Sequence, residues 1–361
     1  MAKSSPQAAQ RRAYLLAAAC LSLGLLAVSH PAQAGNIVLR ESGSTLLFPL
    51  FEQWITDYGA IDPSVTLTAA PTGSGAGIAA AIAGTASIGA SDAYLSDQAT
   101  EQNPQILDIP LAISAQTVNY NLPGLNGAGV KLDGPTLAGI YRGQITEWDD
   151  AAIKAMNPGV ALPHQTIIPI RRADASGDTF IFTQFLDFST QSWEDAIGYG
   201  TSVAWPEVAA EQTAIGNVGV AKALAATPYS VGYVGISYQN EIARAGLGTA
   251  PIKNQNGKFV LPTLKTIAAA AAELDPRTPP DERLSLVFAT GDDSYPLVNY
   301  EYAVVSKRQP NAATAAALRR FLLWAIAVDG GNAPNYLSSI GFVPLPDFIR
   351  GLSEAQINKI Q

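Results

Sequence analysis

An α/β architecture with largely parallel sheets is the fold class this sequence predicts. Short β-branched runs alternate with helical patterns along the whole chain, Gly, Ser and Pro mark the turns between them, and no internal repeat of solenoid length competes.

Residues 1–34 read as a signal peptide rather than as part of that fold. Lys3, Arg11 and Arg12 form a positive start, Ala13 to Val28 is apolar, and Ala32-Gln33-Ala34 supplies the small-x-small cleavage pattern. An exported, periplasmic or secreted protein is therefore expected. The whole chain has 22 basic and 30 acidic residues; without the three basic residues of the leader, 19 basic stand against 30 acidic, a charge of −11. That balance argues against a nucleic-acid partner. The single Cys, Cys20, lies in the leader, and His164 is the one His beyond it. No disulfide, thiolate nucleophile or multi-histidine metal site is then available to the exported chain.

The elements follow in order. Ile37 to Leu39 reads as the first strand, and Leu47, Leu50, Phe51, Trp54, Ile55 and Tyr58 recur at helical spacing. Val65 to Leu67 is the next strand, then a Gly/Ser turn and the Ala-rich helix Ile78 to Ala83. Ser87 to Ala90 is a short strand ending in Ser91-Asp92. Ile167 to Ile170 is a strand that runs into a helix, Phe180 to Phe188. Ala268 to Glu273 fits a plain surface helix, and Asp275 to Asp281, with three prolines, a loop. Asn311 caps a helix bearing Leu318, Phe321, Leu322 and Ala325, which Gly330 stops. Thr117 to Asn121 and Leu297 to Tyr302 lack turn signals and read as hinge crossings. They divide the chain into one lobe of residues 35–118 plus 299–361 and a second of residues 119–298.

Three places share the order strand, small polar or Gly-containing loop, helix: Gly43-Ser44-Thr45, Thr72-Gly73-Ser74-Gly75-Ala76-Gly77 and Ser176-Gly177-Asp178. Such loops present backbone N–H groups and hydroxyls, and the helix that follows adds a partial positive charge, so each suits a tetrahedral oxyanion. Arg172 stands beside the third. The second loop is not a P-loop, because no Lys-Ser/Thr follows its glycines, and its Ser lacks the frame of a nucleophile elbow. With no Cys and one His, the chain is expected to be a binder without catalytic residues, metal or cofactor. Asp92 is the odd residue. A carboxylate aimed at an anion repels it unless the ligand brings a proton to donate, as phosphate does near neutral pH and sulfate does not; the alternative is that Asp92 caps the following turn.

These residues resemble successive signatures of the PstS family, the phosphate-binding proteins of the high-affinity phosphate ABC transporter. The likeness runs through Gly43-Ser44-Thr45-Leu46 with Pro49-Leu50, Thr72-Gly73-Ser74-Gly75, Gly89-Ala90-Ser91-Asp92 and Arg172-Ala173-Asp174-Ala175-Ser176-Gly177. It continues in Ile140 to Asp150, Asn157-Pro158-Gly159 and Gly232-Tyr233-Val234. The resemblance implies a two-lobed periplasmic-binding-protein fold (type II-like) whose hinged lobes close over one phosphate. It implies that Ser44, Thr45 and Leu46 donate from the first loop and that Asp92 accepts the phosphate proton. Arg172 would pair with phosphate while Asp174 holds it, and Ser176 and Gly177 would donate from the helix start. Two positions depart from the family pattern: Gly75 stands where many members have Ser, which leaves Ser74 or the Gly75 N–H to donate, and Asp178 stands where many have Thr. The implied role is phosphate delivery to a transmembrane permease by a monomer. The alternatives are a binder of sulfate or a phosphonate, and a secreted phosphatase or phosphate scavenger.

Overall fold

The computed structural model describes residues 36–361; the leader assigned to residues 1–34 lies outside the described residues. Eleven strands occur among them: β1 (Ile37–Gly43), β2 (Val65–Thr68), β3 (Ile88–Ser91), β4 (Ile106–Tyr120), β5 (Ile168–Arg172), β6 (Gln212–Ala214), β7 (Ser230–Gly235), β8 (Gly248–Thr249), β9 (Ile252–Lys253), β10 (Phe259–Val260) and β11 (Val298–Ser306). Nine form one sheet, in the order β2-β1-β3-β11-β4-β7-β5-β6 with β8 added on β4, and β9 and β10 form a hairpin of their own.

The sheet is mixed rather than largely parallel. β1 pairs in parallel with β2 and β3, and β5 pairs in parallel with β6 and β7. Between these halves run β11 and β4, antiparallel to each other and to their outer neighbours β3 and β7. The two segments read as hinge crossings lie within this central pair, Thr117 to Tyr120 in β4 and Val298 to Tyr302 in β11. All fifteen residues of β4 are buried. A strand covered on both faces shows no alternation, which is why its length was not legible from periodicity.

Helices cover the sheet where their apolar faces dictate. Phe48–Ile61 carries Pro49 in its first turn and buries Leu50, Phe51, Trp54 and Tyr58; the rings of the last three meet Phe321 or Trp324 edge-on or tilted. Asn311 caps the helix Ala312–Ile326 by accepting from the Thr314 N–H at 2.8 Å. That helix ends at Ala327, not at Gly330; Ala327 is already extended, and the Gly330 N–H bonds its carbonyl in the turn beyond. Leu264–Leu274 carries a capping box between Thr263 and Thr266 and is not merely a surface helix: Ile267, Ala270 and Ala271 are buried as it packs on β4 and β11. Asp275–Arg277 is a 3₁₀ turn rather than open loop, and Asp275 accepts from the Tyr300 hydroxyl at 2.5 Å.

Candidate anion site

The three loops leave the C-terminal ends of β1, β2 and β5, the ends at which a parallel α/β sheet presents its ligands. After β1, the Ser44 N–H bonds the Ala90 carbonyl at 2.8 Å, which fixes the loop against the end of β3. Ser44 then donates its hydroxyl to the Asp92 carboxylate, and its oxygen accepts from the Leu47 N–H at 3.0 Å. Thr45 Oγ1 meets the Asn217 amide at 2.9 Å and Arg172 Nη1 at 3.3 Å. Leu46 is fully buried, and its carbonyl accepts from Ser237.

The second loop reaches Asp92 from another side. Ser74 Oγ donates to Asp92 Oδ2 at 3.3 Å. The Gly75 N–H bonds the Ala175 carbonyl at 3.0 Å, so it ties the second loop to the third. A Cβ on Gly75 would stand 2.5 Å from that of Ala175, and one on Gly177 would stand 2.3 Å from Asp92 Oδ2. Neither position admits a side chain while the loops are together.

The third loop holds the cation. Arg171 and Arg172 alternate in β5, so they point to opposite faces. Arg171 pairs with Glu211 at 2.7 Å and lies over the Trp205 ring. Arg172 turns inward, with a side chain only 1% exposed. Its Nε donates to Asp174 Oδ1 at 2.7 Å and its Nη2 to Asp174 Oδ2, a two-pronged grip; its Nη1 donates to Asp178 Oδ2. Asp178 also accepts from Asn217 Nδ2 at 2.8 Å and, on its other oxygen, from Gln116 Nε2 at 3.0 Å. Ser176 caps the helix Gly177–Ser189 by accepting from the Asp178 N–H at 3.1 Å.

Charge in this cluster is held under opposing pressures. Burial acts against ionised Arg172, but the two aspartates outweigh it and keep the guanidinium charged, its pKa above the ordinary value. Burial also works to raise Asp174, yet the hydrogen bonds and charge of Arg172 hold it below the usual carboxylate range. Asp178 is pushed up to about 7, chiefly by burial, against the pull of Arg172. Asp92 is raised too, again by burial first. The fully buried carboxylates therefore sit where one proton more or less changes the site's charge.

Ser44 and Ser74 thus bond Asp92, while Thr45, Asp174 and Asp178 bond Arg172 and Ser176 bonds Asp178; the Gly75–Ala175 backbone bond ties the two groups together, with Leu46 and Gly177 packed around them. Asp92 is no simple turn cap: its side chain takes hydroxyls from two loops. A cleft of about 460 Å³ opens at Thr45, Phe48, Ile215, Asn217 and Tyr238, and a smaller one of about 130 Å³ at Arg172, Asp174 and Thr179. Asn217 is a member that sequence reasoning passed over, although Ile215-Gly216-Asn217 repeats the strand, Gly, helix order of the other loops. Glu301, Ser114 and Gln116, on the central strands beneath the cluster, were passed over as well. Among the described residues no group of three or more His, Cys, Asp or Glu is placed to hold a metal ion.

Fold and site together define a ligand-binding protein of the two-lobed periplasmic class: residues 26–328 match the PBP superfamily domain, and the chain belongs to that superfamily. Its relatives narrow the assignment. The phosphate-binding protein PstS of Methanocaldococcus jannaschii is 32% identical over 95% of this chain and 92% of its own length, and that of Haemophilus influenzae is 31% identical over 90% and 92%. The chain is a member of the PstS family. Solved structures agree on the fold. A high-affinity periplasmic phosphate-binding protein, PfluDING, bound with phosphate at pH 8.5, superposes with a TM-score of 0.71 at 20% identity over 88% of this chain and 93% of its own. A phosphate ABC transporter substrate-binding protein from Clostridium perfringens, described as putative and bound with phosphate, gives 0.62 at 16% identity over 86% and 100%.

Proposed function

We propose that this protein binds inorganic phosphate outside the cytoplasm and delivers it to the membrane permease of an ABC transporter. The observation that carries the reading is a single buried cluster in which a guanidinium, several hydroxyl donors and an acceptor-only carboxylate converge from both halves of the sheet. The names of the relatives support the ligand and the transporter. The leader signature of residues 1–34 supports export, and among the described residues no helix is long and apolar enough to cross a membrane.

In this reading the lobe of residues 35–118 plus 299–361 brings Ser44, Thr45, Leu46, Ser74, Gly75 and Asp92. The lobe of residues 119–298 brings Arg172, Asp174, Ser176, Gly177, Asp178 and, newly, Asn217. Arg172, fixed by Asp174, meets the anion with its guanidinium. Thr45, Ser176 and the N–H groups at the start of the helix Gly177–Ser189 supply further donors, aided by that helix's dipole. Asp92 accepts the proton that phosphate carries. Asp178 is the carboxylate that positions Arg172 and Asn217.

Equilibrium calorimetry with phosphate, arsenate and sulfate tests the reading. Phosphate should bind, arsenate, which also carries a proton near neutral pH, should compete, and sulfate should not. Displacement of phosphate by sulfate as readily as by arsenate would sink it.

A further inference from the structure

The floor of the site is polar in a part of the sheet that is otherwise apolar. Ser114 and Gln116 on β4, and Asn299 and Glu301 on β11, are all fully buried. In the β3–β11 register Tyr302 faces Ser91, which carries Glu301 to the position opposite Asp92, one residue past the end of β3. Residues opposite one another across a ladder share a face of the sheet. That register brings the Glu301 and Asp92 carboxyls side by side at the floor of the site, where each acts on the other's protonation.

Glu301 has one donor. Ser114 gives its hydroxyl to Oε1 at 2.5 Å, while Oε2 receives no hydrogen bond. Among the described residues no Lys, Arg or His pairs with it; Arg172, the cation of the cluster, is taken up by Asp174 and Asp178. The groups that face Glu301 are Asp92 beyond β3, Ser114 on β4 and, at longer range, Asp178 on the helix after β5, two of them acidic. Two neighbouring carboxyls sealed from water do not both ionise, and the one without donors on its second oxygen keeps the proton. Burial and the charge of Asp92 push Glu301 well above the ordinary carboxylate range, in keeping with that geometry.

We propose that Glu301 is held as the neutral acid and donates its Oε2–H to Asp92, so that the pair carries one negative charge and acts as a single proton-accepting unit toward a protonated tetrahedral oxyanion. This rests on the reading of Asp92 as the acceptor of the ligand's proton. Ser44, Ser74 and Glu301 then fill three of the acceptor positions of the Asp92 carboxylate and leave a lone pair aimed at the ligand. A pair with one charge repels an arriving anion less than a pair with two. Glu301 is a positioning residue here: it acts on the ligand through Asp92.

Two variants and two readouts test the proposal. Glu301→Gln keeps a neutral donor toward Asp92 and an acceptor for Ser114; Glu301→Met keeps the volume and removes both. Infrared difference spectra, wild type minus Glu301→Gln at pH 7 without phosphate, should contain the carbonyl stretch of a protonated carboxylic acid. Phosphate affinity by calorimetry should fall in the order wild type, Gln, Met. The Met variant should be weakened at least about tenfold, as for loss of a charge-assisted hydrogen bond, and Gln should recover most of that loss. A carboxylate band in place of the acid band overturns the proposal. So does tighter phosphate binding by Glu301→Gln, the outcome expected if an ionised Glu301 had been repelling the anion. Should the Met variant not fold, the spectrum and the Gln variant decide between them. If wild type binds no phosphate, the functional reading fails, while the infrared band still reports whether Glu301 carries its proton.

Discussion

Replacing Arg172 by Ala removes the charge on which the cluster turns, and the structure separates two effects that this has. The first is on binding. Arg172 supplies a buried, fixed donor to the anion, and loss of one partner from a buried charged pair costs about 2–5 kcal/mol, so phosphate should bind at least about tenfold more weakly. The second is on the fold. Asp178 is fully buried and has Arg172 as its ion-pair partner, so the variant strands a carboxylate, a loss on the order of 3–5 kcal/mol when nothing relaxes. Asp178 relaxes by taking a proton. Its pKa is already raised to about 7 with Arg172 present, and Arg172 is among the influences holding it down, so in the variant it rises further. A raised folded-state pKa gives stability that is fully present below the unfolded value and is lost as pH rises through the folded one. The stability deficit of Arg172→Ala should therefore be larger at pH 8 than at pH 6. Urea unfolding at both pH values measures the deficit, and calorimetry where the variant is folded measures binding. Arg171→Ala is the control, since Arg171 meets Glu211 and Trp205 and points away from the cluster. A greater loss of phosphate binding from Arg171→Ala, or an Arg172→Ala deficit that shrinks as pH rises, would refute this account.

Three further outcomes are expected. Asp92→Asn replaces an acceptor-only group by one with N–H donors, so the ratio of sulfate to phosphate affinity should rise; an unchanged ratio at fixed pH and ionic strength would remove Asp92 from ligand selection. Gly177→Ala places a methyl 2.3 Å from Asp92 Oδ2 when the loops meet, so the variant should fold yet bind phosphate at least about tenfold more weakly. Small-angle scattering should show phosphate contracting the wild type but not that variant. Glu41 is buried, has one oxygen without a partner, and is raised to about 8 by burial, so the folded state holds more protons than the unfolded one between the usual Glu value and about 8. Stability should fall with rising pH across that window, and Glu41→Gln should flatten the slope by up to about 1.4 kcal/mol per pH unit in chemical denaturation.

The site loops were legible because their chemistry is local. A strand, a Gly-containing turn and a helix start are adjacent in sequence, and the alternation of Arg171 with Arg172 follows from the pleat of β5. What joins them was not legible. Asn217 comes from a fourth loop about forty residues on, and its link to Thr45 exists only in three dimensions. Glu301 looks like a stray acid in an apolar strand until the β3–β11 register sets it opposite Asp92. In the sequence the antiparallel pair β4 and β11 looks like two crossings, since buried strands carry no period from which to tell their length or partner. The Ala-rich helix Leu264–Leu274 misled in a related way: small side chains that mark a good helix former also let it sit close on the sheet.

The single inward-facing guanidinium has a kinetic corollary. Without the leader, 19 basic residues stand against 30 acidic, a charge of −11, so a phosphate dianion approaches a like-charged body and gains little from long-range attraction until it is within the cleft. Mobile ions screen that repulsion over a Debye length of about 8 Å at physiological salt, whereas the buried partners of Arg172 are hardly screened at all. Added salt should then hasten the ligand's arrival and leave its departure nearly unaffected, so capture would be no weaker in saline surroundings than in dilute ones.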